Sequence, residues 1–330
     1  MRAAFASIRW MPGPFGRRFL PIALLAAASA ACGSSKSSSD FANTVTPGPT
    51  GSGGGFSDGG SGTIGGNDPN TMGGAGNQSG CSDAAKLVYV VDDSNELFSY
   101  DPGASKFAKI GDLNCPAGSE TPNSMAVDRS GTAWVNFSEG SLFKVSTADA
   151  SCQATTYQKQ QGGFIRFGMA FANDSASTDK ETLYVVGIEG VNGGKGLAKI
   201  DLNSMTLTKI GDFSGDLQGQ GAELTGTGDG RLYGFFTTEP SATLAQIDKG
   251  TGATSGETPL DGVNTGTAWA FSFWGGDFWF YTSSGAPSTV TRKQTSTNGS
   301  LSTAVQDVGG FQIVGAGVST CAPTTPPAPR

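Results

Sequence analysis

An all-β fold, a single β-propeller of five four-stranded blades with the first blade closed by the C-terminal strand, is what this sequence predicts. Three observations predict it. Between Cys81 and Cys321 helical periodicity is nearly absent, and short alternating or β-branched runs are punctuated by Gly, Asp, Asn, Ser or Thr. One unit recurs, and its aromatic markers Tyr89, Trp134, Tyr184, Tyr233 and Trp279 stand 45, 50, 49 and 46 residues apart. Four strands in ~45 residues is the period of propeller blades. The opening unit lacks a first strand, and the run from Phe311 to Val318 at the far end supplies one, which leaves no exposed sheet edge.

The units follow one another in the same grammar: a small or apolar strand, a turn ending in Gly, an aromatic strand, a strand finishing near Asp, then a polar strand. The opening unit has strands at 87–91 and 96–101. In the second, 125–135 holds the turn glycine Gly131 and the marker Trp134, and 141–145 follows. The third spans 168–171, 182–186 and 197–201 and carries a longer turn. The fourth has Gly230 and Tyr233 in 224–236, then 242–248; the fifth has Gly276 and Trp279 in 270–281, then 289–292. Two units share the tail Lys-Ile-Gly-Asp, ending at Asp112 and at Asp212. The rival architecture, two β-sandwich domains, needs a linker, and none interrupts residues 81–321.

Four cysteines fall within or at the ends of the repeats, enough for two disulfides in an exported chain. Four allow three pairings, and the propeller reading chooses among them. Cys81 precedes the second strand of the shared blade and Cys321 follows its first, so Cys81–Cys321 clasps the ring. Cys115 and Cys152 lie by the outer strands of blades one and two and form the other pair.

The fifth cysteine, Cys32, belongs to a different device. Arg17 and Arg18 precede an apolar run from Phe19 to Ala31, too short for the about 20 residues that cross a bilayer. This stretch resembles a bacterial lipoprotein signal, which implies lipidation of Cys32 and a membrane anchor. Gly33 in the following position leans towards the outer membrane or cell surface. Residues 1–31 are then the signal peptide, and 32–80 the lipidated Cys and a tether. Fifteen of the 48 residues from Gly33 to Gly80 are glycine, a composition that stays disordered and reaches roughly 40 Å. Residues 81–321 form the propeller, and 322–330 read as a disordered Pro-rich tail. Removing the signal leaves 17 basic against 28 acidic residues, a net charge of −11, which excludes nucleic acid as a partner class.

The chain contains no histidine, so it has no Ser-His-Asp site, no His-ligated metal and no imidazole base. Chemistry here would fall to carboxylates, with Ca²⁺ or Mg²⁺ held by oxygen ligands. Asp174 and Asp179 sit in the long turn of the third unit but lack the Gly and terminal Glu of a calcium loop; they read as a solvated turn, and no cofactor is expected. Asp92, Asp93 and Asp128 read as turn residues. Propeller ligands occupy the central funnel, formed by the first strands and the loops entering them. Those segments hold Glu120, Asn123, Arg166, Gln218, Gln220, Glu223, Asn264, Trp269 and Gln312. Alignment on the turn glycines puts Ser124, Glu223 and Trp269 at equivalent positions, with Gly168 their counterpart in the third unit. Glu120, Arg166, Glu223 and Trp269 are therefore the candidate ligand-binding residues, and Glu120 and Glu223 the acids expected near the funnel. The plainer reading packs Trp269 between blades, pairs Glu223 with a base and leaves Arg166 solvated.

The repeat pattern resembles the broad group of exported bacterial β-propellers of the NHL or WD-like repeat type, over residues 86–318. The Trp-Asp signature and family-specific catalytic motifs are absent. The expectation is a lipid-anchored binding or scaffolding module of the cell envelope with a protein or glycan ligand. The alternative is a carboxylate-dependent, Ca-assisted hydrolase or lyase on glycans or small metabolites, which requires Glu120 and Glu223 to cluster. A purely structural envelope role is the third possibility.

Overall fold

The computed structural model describes residues 81–188, 193–285, 287–295 and 299–327. Cys32, the signal, the tether and the end of the tail lie outside them. Among the described residues, twenty strands form five four-stranded antiparallel sheets. Blade one contains β1 (Val88–Asp92), β2 (Glu96–Asp101) and β3 (Lys106–Asp112). Blade two is β4 (Pro122–Val127), β5 (Thr132–Phe137), β6 (Leu142–Ser146) and β7 (Cys152–Ala154). Blade three is β8 (Phe167–Asn173), β9 (Glu181–Ile188), β10 (Gly194–Asp201) and β11 (Thr206–Gly211). Blade four is β12 (Ala222–Gly226), β13 (Leu232–Phe236), β14 (Thr243–Ile247) and β15 (Thr254–Pro259). Blade five is β16 (Ala268–Trp274), β17 (Asp277–Ser283), β18 (Thr289–Lys293) and β19 (Leu301–Val305). The last strand, β20 (Ile313–Val318), pairs antiparallel with β1 and becomes the inner strand of blade one. The chain is a five-bladed β-propeller.

The core is divided, and the division explains the repeat. Five apolar clusters lie one at each junction between neighbouring blades. A strand's side chains alternate between faces, so a second strand in a blade must be apolar on both. In β1, Val88 and Val90 face blade five while Tyr89 and Val91 face blade two. In β17, Phe278 and Phe280 face blade four while Trp279 and Tyr281 face blade one. The marker aromatics all obey one rule: each turns towards the next blade in the ring. Equivalent sequence positions thus fill equivalent wedges, and aromatics supply the bulk where blades splay apart.

The sheets close tightly at the axis. A Cβ on Gly168 of β8 would stand 2.1 Å from the Ala222 carbonyl oxygen and 2.8 Å from Glu223 Cα of β12. Only glycine permits that approach of backbones. Asn136, fully buried, stitches blade two to blade three: its Nδ2 donates to the Ile165 carbonyl at 3.3 Å and its Oδ1 accepts from the Phe167 N–H at 3.2 Å.

Two disulfides join Cys81 to Cys321, with Cα atoms 5.8 Å apart, and Cys115 to Cys152, 5.0 Å apart. The first clasps the strand pair that closes the ring; the second ties blade one to blade two. The chain stays packed just past Cys321. Ala322 is buried and the Pro323 carbonyl accepts from the Gly275 N–H at 2.7 Å, so the solvated tail begins later than composition suggests.

Beside the clasp lies a half-buried acid. Glu181 accepts from the Arg129 backbone N–H and from the Thr320 hydroxyl, each at 2.8 Å, while Arg129 pairs with Asp179 at 3.2 Å. Burial raises the Glu181 pKa from 4.5 to about 7, against the lowering effect of those bonds. The native state therefore holds a proton that the unfolded chain has released, and stability falls as pH rises from about 4.5 to about 7. At about 1.4 kcal/mol per unit, the loss is on the order of 3 kcal/mol. Denaturation midpoints measured across this window should slope downward in the native chain and less steeply in Glu181→Gln, where Glu223 still holds a proton of its own. An unchanged slope in the variant would assign the proton elsewhere.

Candidate functional site

The inner strands and the loops leading into them enclose a funnel of about 1310 Å³. Blade two supplies Asn123 and Ser138, blade three Arg166, blade four most of the wall, blade five Trp269, and blade one Val314. Three of the four candidate residues, Arg166, Glu223 and Trp269, therefore come together here. The fourth does not line the cavity: Glu120 accepts the Ser138 hydroxyl at 2.6 Å, and it is Ser138 that reaches the wall.

Glu223 forms the floor. It sits on β12 with 1% of its surface exposed, and its Oε2 accepts the Ser124 hydroxyl of β4 at 2.7 Å. Blade three lies between those two blades in the ring, so the bond passes the glycine position of β8. Desolvation drives the Glu223 pKa well above the ordinary carboxyl range, and the Ser124 hydrogen bond opposes it. No neighbouring charge contributes. The partner is thus a serine rather than a base, and burial favours the neutral acid.

Strand register corrects the alignment on turn glycines. Glu223 pairs with Phe235, two residues past its marker; Ser124 with Asn136, Gly168 with Val186 and Gly315 with Val91 are the same step. In blade five that step is Ala270 opposite Tyr281, not Trp269. The reason is a shorter turn: Trp274 pairs directly with Asp277 across Gly275 and Gly276, whereas the turn in blade four runs from Gly226 to Leu232. Four of the five axial positions are therefore Ser, Gly, Ala and Gly, and Glu223 alone extends a long side chain across the axis. Trp269, half-buried, both packs against the cluster between blades four and five and lines the funnel.

The expectation that Glu120 and Glu223 supply the acids near the funnel is also corrected. Asp216, Glu239, Glu257 and Asp261 line it as well, all exposed. Asp216 lies on the helical turn Gly215–Leu217, Glu239 between β13 and β14, Glu257 on β15 and Asp261 just beyond it. Glu257 accepts the Thr254 hydroxyl at 3.1 Å and Asp261 the Ser241 hydroxyl at 2.6 Å. Nothing in their local sequence marks them, because they reach the funnel only through the way blade four's outer strand and loops stand over its mouth. Buried Asn136 was equally unmarked.

The other acids act locally. Asp128 accepts from the Ser130 and Thr132 N–H groups and from the Trp134 indole, and Asp92 from the Ser94 and Glu96 N–H groups. Asp174 accepts the Thr182 hydroxyl at 2.7 Å. Of the other polar residues expected near the axis, Gln220 lines the funnel, while Gln312 donates to the Ser283 hydroxyl at 3.0 Å.

No protein-family description and no curated protein matches this chain. Solved structures do. A protein of unknown function from Bacteroides caccae aligns with TM-score 0.36 and 11% identity, over 65% of this chain and 70% of that one. Hydrazine synthase from Kuenenia stuttgartiensis aligns with TM-score 0.37 and 13% identity, over 70% and 69%. The Dos1 propeller aligns with TM-score 0.38 and 11% identity, over 70% and 56%. At these identities no activity passes from them to this chain, and the propeller assignment stands on its own strand pairing.

Proposed function

We propose that this chain is a lipid-anchored binding module of the cell envelope, held by Cys32 and its tether, which takes a polar ligand in the propeller funnel. The observation that carries this reading is the funnel itself: about 1310 Å³, walled by all five blades and lined by hydroxyls, amides and carboxyls around an aromatic. Cavities of this kind, with a few placed polar groups, are where propellers and other closed folds bind small molecules. The hydrolase or lyase alternative loses ground because it needs two cooperating carboxyls. Glu120 and Glu223 have separate hydroxyl partners, and no second charge perturbs Glu223.

The test is a thermal-shift screen of the mature chain against amines, amino acids, organic acids and neutral oligosaccharides. A ligand that raises the melting temperature, loses that effect when the exposed wall residue Thr267 is changed to Trp, and is recovered chemically unaltered supports binding. Turnover of the hit that disappears in Glu223→Gln would replace this reading with the enzymatic one. Labelled palmitate incorporated by the native chain and not by Cys32→Ser checks the anchor.

A further inference from the structure

Taking the funnel as the binding site proposed above, we infer that its ligand is an extended organic cation whose leading primary ammonium group sits on Glu223. The charge of the wall is the first ground. Among the described residues it carries Asp216, Glu223, Glu239, Glu257 and Asp261 against the single base Arg166. Four of these acids stand exposed on separate elements around the mouth, where they attract cations into the funnel before contact. Among the described residues no three acids gather as ligands for one metal ion. Charges spread in this way suit several ammonium groups along a chain better than one compact ion.

The floor is the second, independent ground. Glu223 is 1% exposed and lines the cavity, and the one side-chain hydrogen bond seen for its carboxyl among the described residues is the Ser124 hydroxyl on Oε2. A carboxyl can accept several hydrogen bonds, and one that lines a cavity with a single hydroxyl as partner has acceptor capacity left for a donor. The surrounding axial residues, Ser124, Gly168, Ala270 and Gly315, leave space for a compact head and bring no competing charge. An ammonium group has three donors and a small radius, whereas a planar guanidinium needs a broader, two-oxygen acceptor. Trp269 on the wall offers an apolar and π-bearing surface to the methylene stem behind it.

Binding should be coupled to a proton. Burial holds the Glu223 carboxyl neutral, and an adjoining ammonium favours the anion, so the cation displaces the carboxyl proton to solvent. The strands packed around β12 leave that proton to Glu223. β4, β8, β16 and β20 contain no titratable residue. β13 brings Tyr233 and β9 brings Tyr184, both turned into blade junctions, and Glu181 lies at the far end of β9. Arg166, just before β8, is the nearest base on the wall.

Isothermal titration of the mature chain with spermidine, tetralysine and a neutral tetrasaccharide, at about pH 6 in two buffers of different ionisation heat, decides the matter. Spermidine or tetralysine should bind, and which of them binds more tightly separates a free polyamine from a lysyl chain. The heat should depend on the buffer, reporting the released proton. Glu223→Gln keeps the shape and the Ser124 partner; it should weaken the amine on the order of tenfold or more and abolish the buffer dependence. The exposed pair Asp216→Asn with Glu257→Gln should weaken it several-fold and flatten its salt dependence without touching the core. Tetrasaccharide binding without amine binding would overturn the cation and leave the binding module standing. Amine binding that Glu223→Gln leaves unchanged would overturn the assignment of the floor. Failure of all three probes overturns the cation as well, and the wider screen then decides whether the funnel binds anything.

Discussion

Replacing Cys81 and Cys321 together by serine should lower the unfolding free energy by up to about 5 kcal/mol, the largest effect of any change considered for this chain. The bond spans a sequence separation of 240, so its removal frees nearly the whole domain in the unfolded state, whereas Cys115–Cys152 spans 37 and is worth about 4 kcal/mol on the same chain-entropy reasoning. The clasp has a second role. β20 and β1 meet only because the two ends of the domain return to one blade, and when they part, both present unpaired edges. The variant should therefore unfold at lower denaturant concentration than Cys115→Ser with Cys152→Ser, and should aggregate on heating while that second variant stays soluble longer. Equal losses in the two double variants would mean that strand pairing closes the ring unaided.

Gly168→Ala should cost about 3 kcal/mol or more although it adds one methyl group. The new Cβ would meet backbone, 2.1 Å from the Ala222 oxygen and 2.8 Å from Glu223 Cα, and backbone of packed inner strands has nowhere to move except outward. Moving β12 away from β8 also carries Glu223 away from Ser124, so the variant should lose ligand binding along with stability. Gly250→Ala, in a turn where the nearest atom is 3.4 Å away, is the matched control and should fall within about 0.5 kcal/mol of the native chain. A denaturation midpoint for Gly168→Ala close to that of the control would show that the axis is looser than this packing implies.

Much of the fold was legible because a propeller repeats one physical problem five times. Each blade must fill a wedge against the next, so Tyr89, Trp134, Tyr184, Tyr233 and Trp279 recur at the same step and announce the period. The incomplete opening unit pointed to a strand from the other terminus, and β20 is that strand. The site was less legible. Glu223 stood out as a long acid at an inner-strand position, but its partner was expected to be a base and is Ser124, two blades away around the ring. Turn-glycine spacing puts Trp269 one residue out of register because the turn of blade five is shorter. Nearness to an inner strand suggests Glu120 for the funnel, but it bonds Ser138 and does not line the wall.

By itself the sequence determined the all-β class, the blade count, the closure and, through one topology, the cysteine pairs, since these follow from periodicity and chain order. Only the tertiary structure decided which polar groups share a cavity. Asp216, Glu239, Glu257 and Asp261 belong to a turn, a loop and an outer strand whose local patterns read as solvent-facing. They line the funnel because folding brings the loops and outer strand of blade four to its wall, and that placement is not written in the spacing of residues along the chain.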